Sequence, residues 1–280
     1  MSPIIVEIGP VQIRWYGLMY VVAIIVGIII TNYEIKRRKL PLSLDDLLDF
    51  VLITIPIAIV FARLWYVLFR WDYYSQNLGD IYKIWQGGLA IHGGLLGGAI
   101  ALWLFSKWKR ISFWQFADVS VLAVILGQAL GRFGNFMNGD AYGTPTDLPW
   151  GIVFPRSSPA GQAYPELHIH PSMLYEMSGD LLIFGVLWWL RTKPFRPGFL
   201  TSLYVMLYSA LRFVVEFTRG DALCLLTGTR CIEGATNFFE ALRTAQVVSV
   251  ILFVAFAWLL FSRKLYKLQP AAEPEPEQVA

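Results

Sequence analysis

Charge is scarce in this sequence. Lys, Arg, Asp and Glu make up 15% of the 280 residues, where a soluble domain carries about 25%. That shortage excludes an ordinary water-soluble globule. The formal net charge is only +3, and no basic block is interleaved with aromatics, so no nucleic-acid partner is indicated. Cysteine is almost missing. Cys224 and Cys231 share one polar loop, without the spacing of a zinc or thioredoxin motif. A disulfide between them and two unrelated small apolar residues are equal alternatives, and neither reads as a nucleophile. The first eleven residues lack the basic stretch of a cleaved signal peptide, so the first apolar run is expected to stay as a span. There is no His-Glu-x-x-His, no Gly-x-Ser-x-Gly and no P-loop. His168 and His170 flank Ile169, but nothing completes a metal site around them. No cofactor or metal is called for, and no internal repeat is visible.

Apolar residues dominate, at 56% of the chain, with eleven Trp concentrated near the ends of apolar runs, as at membrane interfaces. A spanning helix needs about 20 mostly apolar residues. Seven stretches qualify: Ile13–Asn32, Leu48–Leu68, Gly87–Ser106, Phe113–Met137, Pro171–Leu190, Gly198–Phe217 and Ala245–Phe261. The glycine-rich third and the polar-starting fifth are the weakest. The expected fold is an all-α integral membrane protein with a single polytopic membrane domain over residues 1–268. The Glu-Pro tail, 269–280, is expected to be disordered. Basic sets follow spans one (Lys36, Arg37, Arg38, Lys39), three (Lys107, Lys109, Arg110), five (Arg191, Lys193, Arg196) and seven (Arg263, Lys264, Lys267). Positive loops face the cytoplasm. This places the N-terminus outside, the C-terminus inside and the two longest loops outside.

On that map the polar residues gather in one outer layer: Tyr16, Arg63, His92, Arg132, Asn135, Tyr208, Arg212 and Glu216. Ionisable groups within a membrane are costly and mark functional sites. Snorkelling to headgroups accounts for one such arginine, but poorly for this many on five elements. Tyr208, Arg212, Glu216 and Arg219 are spaced by four, four and three, so they form one stripe on span six. Span three surrounds His92 with glycines, and Gly94 with Gly98 has the small-xxx-small spacing for close helix approach. The run Gly131 to Gly143 is poor helix material. It predicts that span four breaks at the outer surface, with free amides beside Arg132 suited to an anion. Arg63, Arg132 and Arg212 together suit a phosphate, and its natural source is a phospholipid headgroup. His92 and Tyr208 beside it suit proton transfer.

These residues carry a resemblance. Gly131-Arg132-x-Gly134-Asn135-Phe136-x-Asn138-Gly139-Asp140, closing at Gly143, resembles the signature of the bacterial prolipoprotein diacylglyceryl transferases. Trp15-Tyr16-Gly17, Trp85-Gln86-Gly87-Gly88 with His92-Gly93-Gly94, and His170-Pro171-Ser172-x-Leu174-Tyr175-Glu176 join it. Tyr208 with Arg212-Phe213-x-x-Glu216-x-x-Arg219 completes it. The resemblance implies seven spans and a site open to the outer leaflet of the bacterial inner membrane. It implies transfer of the diacylglyceryl group of phosphatidylglycerol to the lipobox cysteine of a preprolipoprotein. It points to His92, Tyr208, Arg132 and Arg212 for catalysis. Taken with the outer polar layer, which supplies Arg63, it points for substrate binding to Tyr16, Arg63, Asn135, Asn138, Asp140, Gly143, Glu216 and Arg219. Some members carry Glu where this chain has Asp140. The rival readings are a lipid transporter and an intramembrane aspartyl protease built on Asp140 and Asp180. The first is disfavoured by the missing repeat, the second by the loose placement of the two carboxylates.

Overall fold

Ser43 opens a long helix with a reciprocal cap. Its hydroxyl accepts from the Asp46 amide at 3.1 Å, and the Asp46 carboxylate accepts from the Ser43 amide at 2.8 Å, so two otherwise orphaned donors are satisfied. From there an apolar run carries the helix through Pro56 to Phe69. The other long helices arise likewise from apolar runs punctuated by Gly, Pro and polar turns.

The computed structural model describes residues 3–9, 11–224 and 243–269. The suggested partner of Cys224, Cys231, lies outside them, and so does that pairing; residues 270–280 of the expected tail lie outside as well. A short antiparallel hairpin, β1 (Ile4–Ile8) and β2 (Val11–Arg14), precedes the helices. Seven long helices follow among the described residues. They are α1 (Trp15–Arg37), α2 (Leu44–Phe69), α3 (Ile91–Trp108), α4 (Phe113–Asn138), α5 (Ser172–Leu190), α6 (Phe199–Val215) and α7 (Thr244–Ser262).

All but α3 are long and apolar enough to cross a membrane, α6 when its continuation to Thr218 is included. The third helix has 18 residues, and its glycines, His92 and Lys107 dilute its apolar content. The helices turn Leu52, Leu182, Trp189, Ile251, Trp258 and Phe261 outward. Apolar surface on that scale is stable against lipid rather than water. The chain is thus an all-α membrane protein.

The chain divides into two compact units, residues 28–120 and residues 1–27 with 121–280. In the first, Ile35, Leu47, Phe105, Phe116 and Val119 form the core. Lys109 pairs with Asp46 and ties the end of α3 to the start of α2. The α2–α3 crossing is made by Gly93 and Gly97. A Cβ on Gly93 would stand 2.8 Å from Ala62 Cα, and one on Gly97 would stand 2.9 Å from Ala58 Cα. Gly98 meets nothing within 4 Å, and Gly94 makes only ordinary contacts. The four-residue spacing of small residues therefore works one position earlier than expected, because α3 turns that face toward α2.

In the second unit α6 packs against α5 and α7. Gly179 lets Leu211 approach the backbone of α5. The long α4–α5 connection closes over its own small core of Tyr142, Phe154, Ala160, Ile169 and Met173.

Candidate active site

Helix α4 ends at Asn138, within the glycine-rich run and one residue beyond the expected span. Gly139 then takes a left-handed conformation, φ 73°. The amides of Gly139 and Asp140 both bond the Asn135 carbonyl, at 2.8 and 3.2 Å. This is a glycine C-cap. It leaves those two amides no capacity for an anion, which corrects the expectation of a free amide nest. The same cap folds the Asp140 carboxylate back onto the helix end. It accepts from Asn135 Nδ2 at 2.8 Å and Asn138 Nδ2 at 3.0 Å.

Arg132 lies about two turns before this cap. Its Nη2 meets Glu176 Oε1 at 2.6 Å, and its Nη1 donates weakly to Asn135 Oδ1 at 3.4 Å. Glu176 sits one turn into α5 and has no solvent exposure. Helix α6 brings two further donors to it. Tyr208 O–H donates to Oε1 at 3.0 Å. Arg212 Nη1 stands 3.4 Å from Oε2, while its Nη2 meets Glu216 Oε2 at 2.7 Å. Three helices thus converge on one carboxylate. Each arginine side chain keeps 18% exposure above the fully buried acid, so neither is sealed off as Glu176 is.

The predicted stripe on α6 holds for Tyr208, Arg212 and Glu216. It fails for Arg219, because the helix tightens into a 3-10 turn at Glu216–Thr218 and Arg219 follows in extended conformation. Arg219 instead makes a bidentate pair with Asp221, at 2.7 and 2.9 Å, and its backbone bridges to Gly143. A Cβ on Gly143 would stand 2.6 Å from His170 Cβ and 2.7 Å from Ser172 Oγ. Glycine at 143 thus has a packing reason of its own. The end of α6 is held further by Arg243, which donates to the Glu216 carbonyl.

Tyr16, in the first turn of α1, lies over Gly134. A Cβ there would stand 2.8 Å from its ring. The Tyr16 hydroxyl accepts from Tyr20 at 3.0 Å.

Two predicted residues belong to the other unit. Arg63 is buried, and its guanidinium is filled by backbone carbonyls: Ile81 at 2.7 Å, Asp80 at 2.6 Å, Gly87 at 2.8 Å and Gly88 at 3.0 Å. Gly87 and Gly88 reach those positions with φ of 87° and 79°, backbone that side-chain-bearing residues rarely adopt. The donors expected to line a phosphate cavity therefore organise the segment between α2 and α3. In that segment Lys83 and, secondarily, the Tyr73 hydroxyl hold the Asp80 carboxyl below the usual carboxylate range. His92 is exposed at the start of α3, its ring stacked on Trp65 with centroids 6.4 Å apart.

Glu176 was not among the candidate residues. A usable signal existed: Glu176 and Asp180 are four residues apart inside an apolar span, where carboxylates need partners. Asp180 is also fully buried, and neither of its oxygens has a hydrogen-bond partner among the described residues.

Seven helices, most of them long and apolar enough to span a bilayer, and a charged cluster sunk among three of them, define a multi-pass membrane protein with an internal polar site. The chain belongs to the prolipoprotein diacylglyceryl transferase family, whose model matches residues 3–262. It is 39% identical over 267 residues to the phosphatidylglycerol–prolipoprotein diacylglyceryl transferase of Thermosynechococcus vestitus, covering 94% of this chain and 93% of that protein. A Nostoc protein of the same name is 39% identical, with 99% and 96% covered. One from Streptococcus pneumoniae is 41% identical, with 90% of each covered.

Proposed function

We infer that this chain transfers the diacylglyceryl group of phosphatidylglycerol to a cysteine thiol of a prolipoprotein. The observation that carries the reading is the convergence of Arg132, Tyr208 and Arg212 in a chain related along at least nine-tenths of its length to enzymes of that name. The acceptor is the lipobox cysteine at the signal-peptide junction of a preprolipoprotein. The thiolate attacks the lipid's glycerol carbon next to the phosphate. The carbon–sulfur bond forms, the carbon–oxygen bond breaks, and glycerol phosphate leaves with the electron pair.

Charge builds on the leaving phosphate, and fixed guanidinium donors are worth most where charge develops. Arg132 and Arg212 take the phosphodiester. Asn135, Asn138 and Asp140 hold the end of α4 that carries Arg132, and Glu216 orients Arg212. A thiol is a poor nucleophile until ionised, so His92 or Tyr208 assists that proton loss. The cluster faces the outer leaflet of the bacterial inner membrane, and the C-terminus is cytoplasmic, as the basic residues after spans one, three, five and seven require.

Labelled phosphatidylglycerol and a lipobox peptide test the reading directly. A thioether-linked lipopeptide is expected. Lipid moved without thioether points to a transporter, and a cut peptide to a protease. A C-terminal reporter active only outside the cytoplasm overturns the orientation.

A further inference from the structure

We propose that the thiol proton leaves through Tyr208 to Glu176, which makes Glu176 the group that holds the proton while the carbon–sulfur bond forms. The proposal rests on the transferase reading above. Glu176 has no solvent exposure, so a peptide thiol has no direct way to it. Tyr208 is only partly buried, and its hydroxyl already donates to Glu176 Oε1 at 3.0 Å. With its proton committed inward, the phenol oxygen also accepts from the Arg132 guanidinium, and its remaining acceptor capacity is what a thiol would use. A thiol placed there hands its proton to the Tyr208 oxygen while the Tyr208 proton passes to Glu176. The sulfur then attacks carbon, the carbon–oxygen bond electrons go to the phosphate, and the proton returns along the same path to the released glycerol phosphate. Atoms and charge balance without any further reactant.

The surroundings of the acceptor fix its geometry. Arg132 from α4 and Arg212 from α6 hold the carboxylate on both oxygens, which fixes the oxygen that faces Tyr208. Tyr204 stacks on Tyr208 with ring centroids 6.0 Å apart and is itself anchored to Gln128 at 2.8 Å, so the phenol cannot swing freely. Asp180 lies one turn along α5, and Glu216 stands behind Arg212. Those are the charged and titratable groups around the acceptor. His92 offers a weaker case: its imidazole stacks on Trp65 and has no hydrogen bond to another described residue that would relay a proton.

The full-length protein, in phosphatidylglycerol-free micelles with added lipid and a lipobox peptide, tests this. Tyr208→Phe and Glu176→Gln should each slow thioether formation about 100-fold or more at pH 7. Phosphatidylglycerol binding should stay within about twofold of wild type. At pH 9.5 the peptide thiol, with a free pKa of about 8.5, ionises unaided, and both defects relative to wild type should shrink to less than about tenfold. The double variant should be no slower than the slower single variant, because the two groups act in series. Glu176→Asp retains an acceptor, so its remaining activity should follow the wild-type pH dependence; it carries the test if Glu176→Gln does not fold.

Defects unchanged from pH 7 to pH 9.5 would overturn the relay. So would a double variant slowed by the product of the single effects. Lipid binding lost in proportion to activity in Glu176→Gln would make Glu176 an arginine buttress instead. A wild-type protein that forms no thioether would sink the transferase reading itself, a distinct outcome from any of these.

Discussion

Arg63 and Arg212 look alike in the sequence: each is a lone cation toward one end of an apolar helix. Their surroundings differ in kind. Arg63 is buried and answers four backbone carbonyls. Arg212 is partly exposed and answers two carboxylates on two elements. Carbonyl oxygens arranged around a guanidinium hold a chain segment in place. Carboxylates behind a guanidinium aim its remaining donors outward, where an anion can use them. The first arginine organises structure, and the second is the one the proposed function assigns to the substrate.

The largest effect should come from the arginines assigned to the substrate. Arg132→Ala and Arg212→Ala should each lower thioether formation by about 100-fold or more, with folded yield falling less than activity. Arg212→Lys keeps the charge but loses the planar fork, so it should stay clearly impaired in the same lipopeptide assay. Wild-type turnover in both alanine variants would erase the contrast with Arg63.

Arg63→Met should act on stability instead. It strands several carbonyls that now share one donor group, each unsatisfied acceptor costing about 1–3 kcal/mol. The expected reading is a lower melting temperature in detergent, with activity lost only in proportion to folded protein. Activity lost without any loss of stability would move Arg63 back among the substrate contacts.

A smaller effect separates the glycines of α3. Gly93→Ala and Gly97→Ala push a methyl into the α2 backbone and should cost about 1–3 kcal/mol. Gly98→Ala meets open space and should be neutral or slightly stabilising. Thermal melting of the three variants decides whether this is the packed face.

The smallest effect belongs to the segment that Arg63 organises. The Asp80 carboxyl is held low chiefly by Lys83, so its contribution is present above the unfolded carboxylate value of about 3.9 and disappears as pH falls through the lower folded value. Hydrogen exchange in residues 71–90 should therefore accelerate below about pH 4, and Asp80→Asn should remove that pH dependence.

Much of this was legible beforehand. The predicted spans overlap the seven helices closely, and helical period alone put Tyr208, Arg212 and Glu216 on one face. The miss at Arg219 has a local cause, since the tightening at Glu216–Thr218 changes the residue angle beyond which a 3.6-residue period no longer applies. At the end of α4 the break was legible, and the miss was the free amides, which the cap consumes. Tyr16 lies against Gly134, and the Gly139 cap completes the helix there. Glu176 was overlooked because its partners are 44, 32 and 36 residues away in the chain.

The sequence by itself determined which segments are helical, that they belong in a membrane, and which side chains share a face, because apolar runs and helical period are local properties. Only the tertiary structure decided that Glu176 is the hub beneath Arg132, Tyr208 and Arg212, that Arg63 binds carbonyls, and that Gly93 and Gly97 make the crossing. Those outcomes depend on how each helix is rotated against its neighbours. That rotation is set by the sum of many weak packing contacts and a few buried ion pairs, and no single stretch of sequence encodes it.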